Sequence, residues 1–311
     1  MSRLTANCLL LLAGLVWGLG FVAQETAMDN VGPFQFIALR FCLAALVVWP
    51  FALRETKALQ RVGQLIAFTP SQWRAIVVVG SVFFGGMAFQ QVGLLGTSVT
   101  NAGMLTGLYV ILVPIIAFTI LRERQTLTIW AAAATAFAGV WFLGGGGIGK
   151  FTWGDVLMIF CALFWAIHVI IIGRAVGSMG RPVAIACIQF AVCGALGCLG
   201  FFIARLIDWS LEPVYSHADL IAAAPEILYA AIIAGGFAFT LQAIGQRYTR
   251  AADAAVLLSS ESLFAALGGA VILGERLDLY GYLGCALLLA AIVVVSVVAA
   301  RAEAAKERAV I

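Results

Sequence analysis

Ten stretches of this chain are long and apolar enough to cross a lipid bilayer, and nothing else in the sequence restricts the fold so severely. Cut at charged and Gly/Pro-rich positions, the sequence yields apolar segments at roughly 5–24, 34–53, 74–95, 99–121, 127–144, 154–173, 182–205, 225–246, 251–273 and 279–300. Each runs about 18–24 residues, enough at ~1.5 Å per residue for a helix to cover a hydrocarbon core of about 30 Å. Helices are required because lipid offers no partner to an open strand edge. Composition agrees: 63% of residues are hydrophobic and only 11% charged, too few to coat a soluble surface, where about 25% is usual. A net charge of +3 without a basic cluster beyond two or three residues excludes nucleic acid as a partner. The partners expected are membrane lipids and a small-molecule substrate, and the assembly a monomer or homodimer.

The first segment has the look of a secretory signal, but Gln24 and Glu25 follow it without a small-x-small cleavage site, and nine further spans come after. Basic residues set the orientation. With the N-terminus inside, Arg3, Arg54, Lys57, Arg61, Arg74, Arg122, Arg124, Arg174, Arg181, Arg247, Arg250, Arg301, Lys306 and Arg308 are cytoplasmic. Only Lys150, Arg205 and Arg276 fall outside, and Arg40 lies within a span. Fourteen against three places both termini in the cytoplasm. The seven cysteines all fall within spans, none in a CxxC spacing, and only two histidines exist, so no metal or other cofactor is expected.

An internal duplication is visible. TSVTNAGMLTGLYVILVPIIAFTILRER (97–124) lies without a gap over TRAADAAVLLSSESLFAALGGAVILGER (249–276). Asn101 falls on Asp253, Leu105 on Leu257 and Tyr109 on Glu261; the same offset carries Gln90 onto Gln242 and Gly93 onto Gly245. Pro33 and Arg40 match Pro182 and Gln189, and Trp17 matches Trp165. Five spans per unit is an odd number, so the second unit is inverted relative to the first, an arrangement typical of transporters with a site near the bilayer midplane. The fold expected is an all-α integral membrane protein: ten transmembrane helices as two inverted five-helix repeats, at 5–144 and 154–300, joined by a glycine-rich linker at 145–153. GGGGIGK (144–150) fails the phosphate-loop pattern at Lys150-Phe151.

These features resemble the EamA family of the drug/metabolite transporter superfamily. The resemblance rests on FQQVGLLGTSVTNAGMLTGLYVILVP in the first unit, SSESLFAALGGAVILGERL in the second, PFQFIALRFCLAAL in the second span and ALFWAIHVIIIGR in the sixth. It covers roughly 5–300 and implies ten helices, cytoplasmic termini and a central cavity for small metabolites, frequently amino acids moved outward. Ser262 stands where many members have proline after the glutamate of the ninth span, which argues against a gating kink there.

Glu261 is the central candidate. About ten residues from either end of its span, it lies about 15 Å deep, where a carboxylate faces a cavity or a partner. It either accepts a substrate ammonium or titrates during transport, or it is a protonated group holding helices together. The stripes Asp253, Leu257, Glu261 and Asn101, Leu105, Tyr109 use i, i+4, i+8 spacing and give each half one inward polar line. Arg40 is either a ligand for a substrate carboxylate or, more simply, an ion-pair partner of Glu25. His168 shares the depth of Glu261, as a titrating pair or bonded to a backbone carbonyl. Gln90 and Gln242 are the symmetric amides, and Trp17 and Trp165 lie too deep for an interfacial belt and suit aromatic walls or packing. Gly14 with Gly18, and Gly268-Gly269, read as close helix contacts.

The function expected is a secondary transporter of a bacterial-type inner (plasma) membrane exporting small metabolites, foremost amino acids, by alternating access. A drug or nucleotide-sugar carrier is the alternative. An intramembrane enzyme lacks HExxH, GxSxG or paired carboxylates, and a passive channel does not need inverted five-span units.

Overall fold

The computed structural model describes residues 1–63, 67–146, 152–264, 267 and 277–308. All regular structure among them is helical. In chain order the helices are α1 (Arg3–Gly18), α2 (Gly20–Ala27), α3 (Pro33–Arg61), α4 (Pro70–Leu94), α5 (Val99–Thr106), α6 (Tyr109–Thr119), α7 (Leu127–Leu143), α8 (Trp153–Met179) and α9 (Pro182–Leu206). There follow α10 (His217–Ala222), α11 (Ala224–Leu228), a π-helix (Tyr229–Phe239), α12 (Thr240–Gln246), α13 (Ala251–Leu258), a helical stretch at 260–264, and α14 (Leu279–Arg308). Seven described helices are long and apolar enough to cross a membrane, and Arg3–Gly18 and Leu127–Leu143 are shorter apolar helices. The later part of the ninth segment, with Gly268-Gly269, Glu275 and Arg276, and the linker from 147 to 151 lie outside the described residues.

Helix starts follow from local chemistry. α4 and α8 open on capping boxes, Thr69 with Gln72 and Thr152 with Asp155, each satisfying two backbone donors that the first turn would otherwise leave orphaned. The second and seventh spans start at Pro33 and Pro182, and their caps come from each other. The Glu212 carboxylate, from the loop after α9, accepts from the backbone N–H groups of Phe34 (2.8 Å) and Gln35 (3.0 Å). Glu55, near the C-terminal end of α3, accepts from Val183 (3.1 Å) and Ala184 (2.8 Å). Each helix is thus capped by chain from the other's far end, so α3 and α9 run antiparallel. A Cβ at Gly32 would fall on the Glu212 carboxylate, which is why the α3 cap position carries glycine. Burial pushes the Glu212 carboxyl above the usual range, against the pull of those two N–H donors and of Arg205.

Four spans depart from a single continuous α-helix. The first breaks at Leu19, between Gly18 and Gly20, and the fourth at Gly107-Leu108. The eighth passes through eleven residues of π-helix, and the ninth breaks at Ser259 before resuming at 260. The break at Ser259 corrects the expectation drawn from Ser262: proline is not needed here. The Ser259 hydroxyl donates to the Val256 carbonyl (2.7 Å), and Gly14 of α1 lies against the same point, where a Cβ on it would stand 3.3 Å from Leu258 O and 3.2 Å from Glu261 N. Side-chain competition for backbone carbonyls is a known way to bend a helix. The breaks at 107–108 and 259 occupy equivalent positions of the duplication.

Candidate functional site

The two broken helices meet at the centre of the molecule. Tyr109 is the first residue of α6, and Glu261 is the second residue after its own break, so each discontinuity delivers one polar side chain to the same place. Tyr109 and Glu261 stand beside each other in the lining of one cavity, and the two residues are 4% and 8% exposed. Both line the same cavity, which side chains of both sequence repeats enclose. No ion pair joins Glu261 to a Lys, Arg or His among the described residues.

Aromatic rings from both repeats form one wall. Phe239, on the last turn of the π-helix, stacks on Trp165 (5.6 Å, 10° between planes) and packs against Trp17 (4.4 Å). Trp17 is fixed by its indole N–H, which donates to the Ala234 carbonyl at 2.9 Å. Phe83 backs the wall edge-on to Trp165 (5.5 Å) and Phe239 (4.7 Å). Gln90 and Gln242, the symmetric amides, also line the cavity, and Gln242 Oε1 is buried without a hydrogen-bond partner among the described residues.

Arg40 reaches the cavity from α3 and is 2% exposed. The expected ion pair with Glu25 is absent: Glu25 faces outward, and Gln24, one residue earlier, turns in instead. Arg40 Nη1 donates to Gln24 Oε1 (3.0 Å), and Nε donates to the Ala230 carbonyl (3.1 Å). One residue is about 100° of helix rotation, which suffices to exchange an exposed carboxylate for a buried amide.

Two further expectations are corrected. His168 does not face Glu261. It lies behind the aromatic wall, fully buried, with Nε2 hydrogen-bonded to Gln189 Oε1 (3.0 Å) and its ring 5.0 Å from Phe83. Depth counted along a helix gave its level but not its facing. Asn101 lies outside the cavity as well, beside Asp155, whose carboxylate also takes the Thr97 hydroxyl. Its counterpart Asp253 is held by Arg3 and Arg250, the latter at 2.9 and 3.1 Å. The proposed polar lines therefore stop at the helix breaks, where the helical phase is lost. Of the sequence-derived residues, Glu261, Tyr109, Gln90, Gln242, Trp17, Trp165 and Arg40 come together around one space.

Gln24, Met87, Thr106 and Phe239 were missed. A signal existed for Met87, which precedes Gln90 by three on the unbroken α4 and so shares its face; Gln24 and Thr106 have helical spacings to Trp17 and Tyr109, but the breaks at Leu19 and Gly107-Leu108 fall between them. Phe239 also precedes Gln242 by three, but it is one of 21 phenylalanines and carries no distinguishing mark.

Comparison with known proteins fits this architecture. The profile of the EamA-like transporter family matches residues 4–145 and again 152–297. A protein of Archaeoglobus fulgidus named as an uncharacterized transporter is 31% identical over 297 residues, covering 95% of this chain and 87% of its own length. A second transporter of that organism, also uncharacterized, is 24% identical over 89% of this chain and 92% of its own. YcxC, an uncharacterized transporter of Bacillus subtilis, is 28% identical over 134 residues, 43% of this chain and 41% of its own. One crystal structure, 21% identical, superposes with a TM-score of 0.73 across 97% of this chain and all of that one, and shows the fold alone.

Proposed function

The chain belongs to the EamA-like transporter family of the drug/metabolite transporter superfamily, and on that premise we propose that it is a secondary transporter exporting amino acids across a bacterial-type inner membrane, with Glu261 receiving the substrate ammonium. The observation that carries this reading is Glu261 itself: a carboxylate buried at a helix break, lining the central cavity, with a tyrosine hydroxyl beside it and no cationic partner among the described residues. An unpaired buried charge is unfavourable by several kcal/mol, and an arriving ammonium relieves that cost. A nucleotide sugar carries two or more negative charges. Among the described residues Arg40 is the only Lys or Arg lining the cavity, too few for such a substrate.

Alternating access requires the cavity to open to each side in turn while the site stays near the midplane. In the proposed topology the repeats are 5–144 and 154–300, related by inversion, with both termini cytoplasmic. The antiparallel packing of the equivalent helices α3 and α9, and the matching breaks before Tyr109 and Glu261, support it. Two polar ties then stand at opposite ends of the cavity. Arg3 and Arg250 on Asp253 join α1 to α13 at the cytoplasmic end, and Asp155 with Thr97 and Asn101 joins α8 to the start of α5 at the other. Interfaces with two discrete arrangements of this kind are what rocking between states acts upon.

Glu261→Gln keeps size and one acceptor while removing the charge. The variant is expected to insert and fold normally, judged by a monodisperse detergent-solubilised peak, while counterflow of labelled amino acids in proteoliposomes drops by at least about tenfold, the worth of a charge-assisted hydrogen bond. Transport at the wild-type rate would reduce Glu261 to a packing residue.

A further inference from the structure

Resting on the amino-acid reading above, we infer that Arg40 is the carboxylate subsite of the cavity, so that substrate lies with its carboxylate on Arg40 and its ammonium toward Glu261.

A guanidinium has five N–H donors and no acceptor, and it stays charged. In this cavity Arg40 is held entirely by neutral groups: Gln24 Oε1, the Ala230 carbonyl, the Met87 sulfur at 3.8 Å, and the faces of Phe41 (4.9 Å) and Phe36 (5.9 Å). Among the described residues no carboxylate pairs with it, and Nη2 makes no hydrogen bond. Neutral acceptors orient a buried cation but leave its charge uncompensated, whereas a carboxylate would take the exposed edge of the guanidinium fork in charge-assisted bonds. The geometry also leaves the fork little freedom. Nε and Nη1 are already committed to fixed partners, so Nη2 is the donor presented to an incoming ligand.

The same cavity therefore holds a guanidinium without a carboxylate partner and a carboxyl group without a cationic partner among the described residues. In the proposed topology Arg40 is seven residues into α3 from the outer face and Glu261 ten residues into its span from the cytoplasmic face, about 10 Å and 15 Å of a roughly 30 Å core. The charges thus sit at neighbouring but distinct depths. Mutual neutralisation by direct contact is absent, since no ion pair forms between them. A dipolar ligand placed between the two compensates both at once. A simple amine satisfies only Glu261 and a simple acid only Arg40, so the arrangement selects for molecules that carry both groups.

The test uses full-length protein in proteoliposomes, with labelled leucine, phenylalanine and methionine as transported probes. Competitors are the corresponding amines, which lack the carboxylate, and the corresponding acids, which lack the amino group. In the wild type, an unlabelled amino acid is expected to compete at least about tenfold better than either half-molecule. Arg40→Gln should lose at least about tenfold in amino-acid affinity while affinity for the amine changes by less than about twofold. Glu261→Gln should lose both. Arg40→Lys keeps a cation without the planar fork and should recover part of the amino-acid preference; it also guards against an Arg40→Gln variant that fails to fold. If Arg40→Gln weakens amine and amino acid alike, Arg40 is a packing residue and the carboxylate subsite is wrong, while amino-acid transport stands. If Arg40→Gln leaves amino-acid affinity unchanged, the subsite falls for the same reason. Wild-type transport of amines but of none of the three amino acids would overturn both the subsite and the amino-acid reading, yet keep Glu261 as an ammonium site. Transport of neither class would remove both roles.

Discussion

Glu212 and Glu261 are both buried carboxylates, yet their surroundings assign them different work. Glu212 accepts two backbone N–H groups at the start of α3 and closes a structural gap; Glu261 has a single hydroxyl beside it and empty space in front. Glu212 offers a test by pH. Folding raises its carboxyl above the usual range because burial outweighs the donors and Arg205. A raised acid contributes stability that is fully present below the unfolded value, about 4.3, and is lost as pH rises through the folded one. Wild-type thermal stability, measured against Glu212→Gln in the same detergent, should therefore fall across that window and level off above it. A difference that grows with pH would mean that the N–H donors outweigh burial. At this scale the sequence was readable by type and unreadable by direction. Glu25 and Gln24 are neighbours, and only the second reaches Arg40; His168 and Glu261 share a level, and only the second faces the cavity.

Elements meet closely where side chains are missing. α7 and α14 cross at Gly139 and Gly284, and the fit is reciprocal: a Cβ on Gly139 would stand 2.9 Å from Gly284 O, and one on Gly284 would stand 2.7 Å from Gly139 O. Backbone on both sides leaves nothing flexible to give way. Gly284→Ala gains about 1 kcal/mol of intrinsic helix propensity, but overpacking of this kind typically costs about 1–3 kcal/mol. The net expectation is a lower melting temperature in detergent for either glycine-to-alanine variant, and a larger drop for valine. An unchanged or raised value would show that the two helices can separate freely. The breaks at Gly107-Leu108 and Ser259 belong to the same scale. Gly107 gave a hint in the sequence. Ser259 did not, because what makes it a break is its hydroxyl's choice of Val256 O and the arrival of Gly14 from another helix.

For the whole molecule, the distribution of charge decides orientation. In the proposed topology fourteen basic residues lie on the cytoplasmic side against three on the other, the bias expected of this orientation. A cytoplasm-active reporter fused after Ile311 should be functional and a periplasm-active one silent. The reverse result would overturn the topology and, with it, the assignment of the Arg3–Asp253–Arg250 tie to the cytoplasmic end.

The sequence by itself determined that the chain is a membrane protein built of helices, that it is duplicated, and which family it belongs to. These follow from hydropathy run length, self-similarity and motif order, which are one-dimensional properties fixed by the solvent and by descent. It also named most of the polar residues around the cavity, because charges and amides are scarce in lipid-spanning segments and costly unless used. Only the tertiary structure decided which of them meet. Facing depends on helix rotation, on breaks that reset the helical phase and on contacts between distant segments. Trp17 and Trp165 close on a phenylalanine that nothing in the sequence distinguished, Tyr109 stands beside Glu261 although 152 residues separate them, and Arg40 leaves Glu25 for Gln24. In each case the deciding energy is packing between helices, which depends on all the neighbours at once and is not written in any single span.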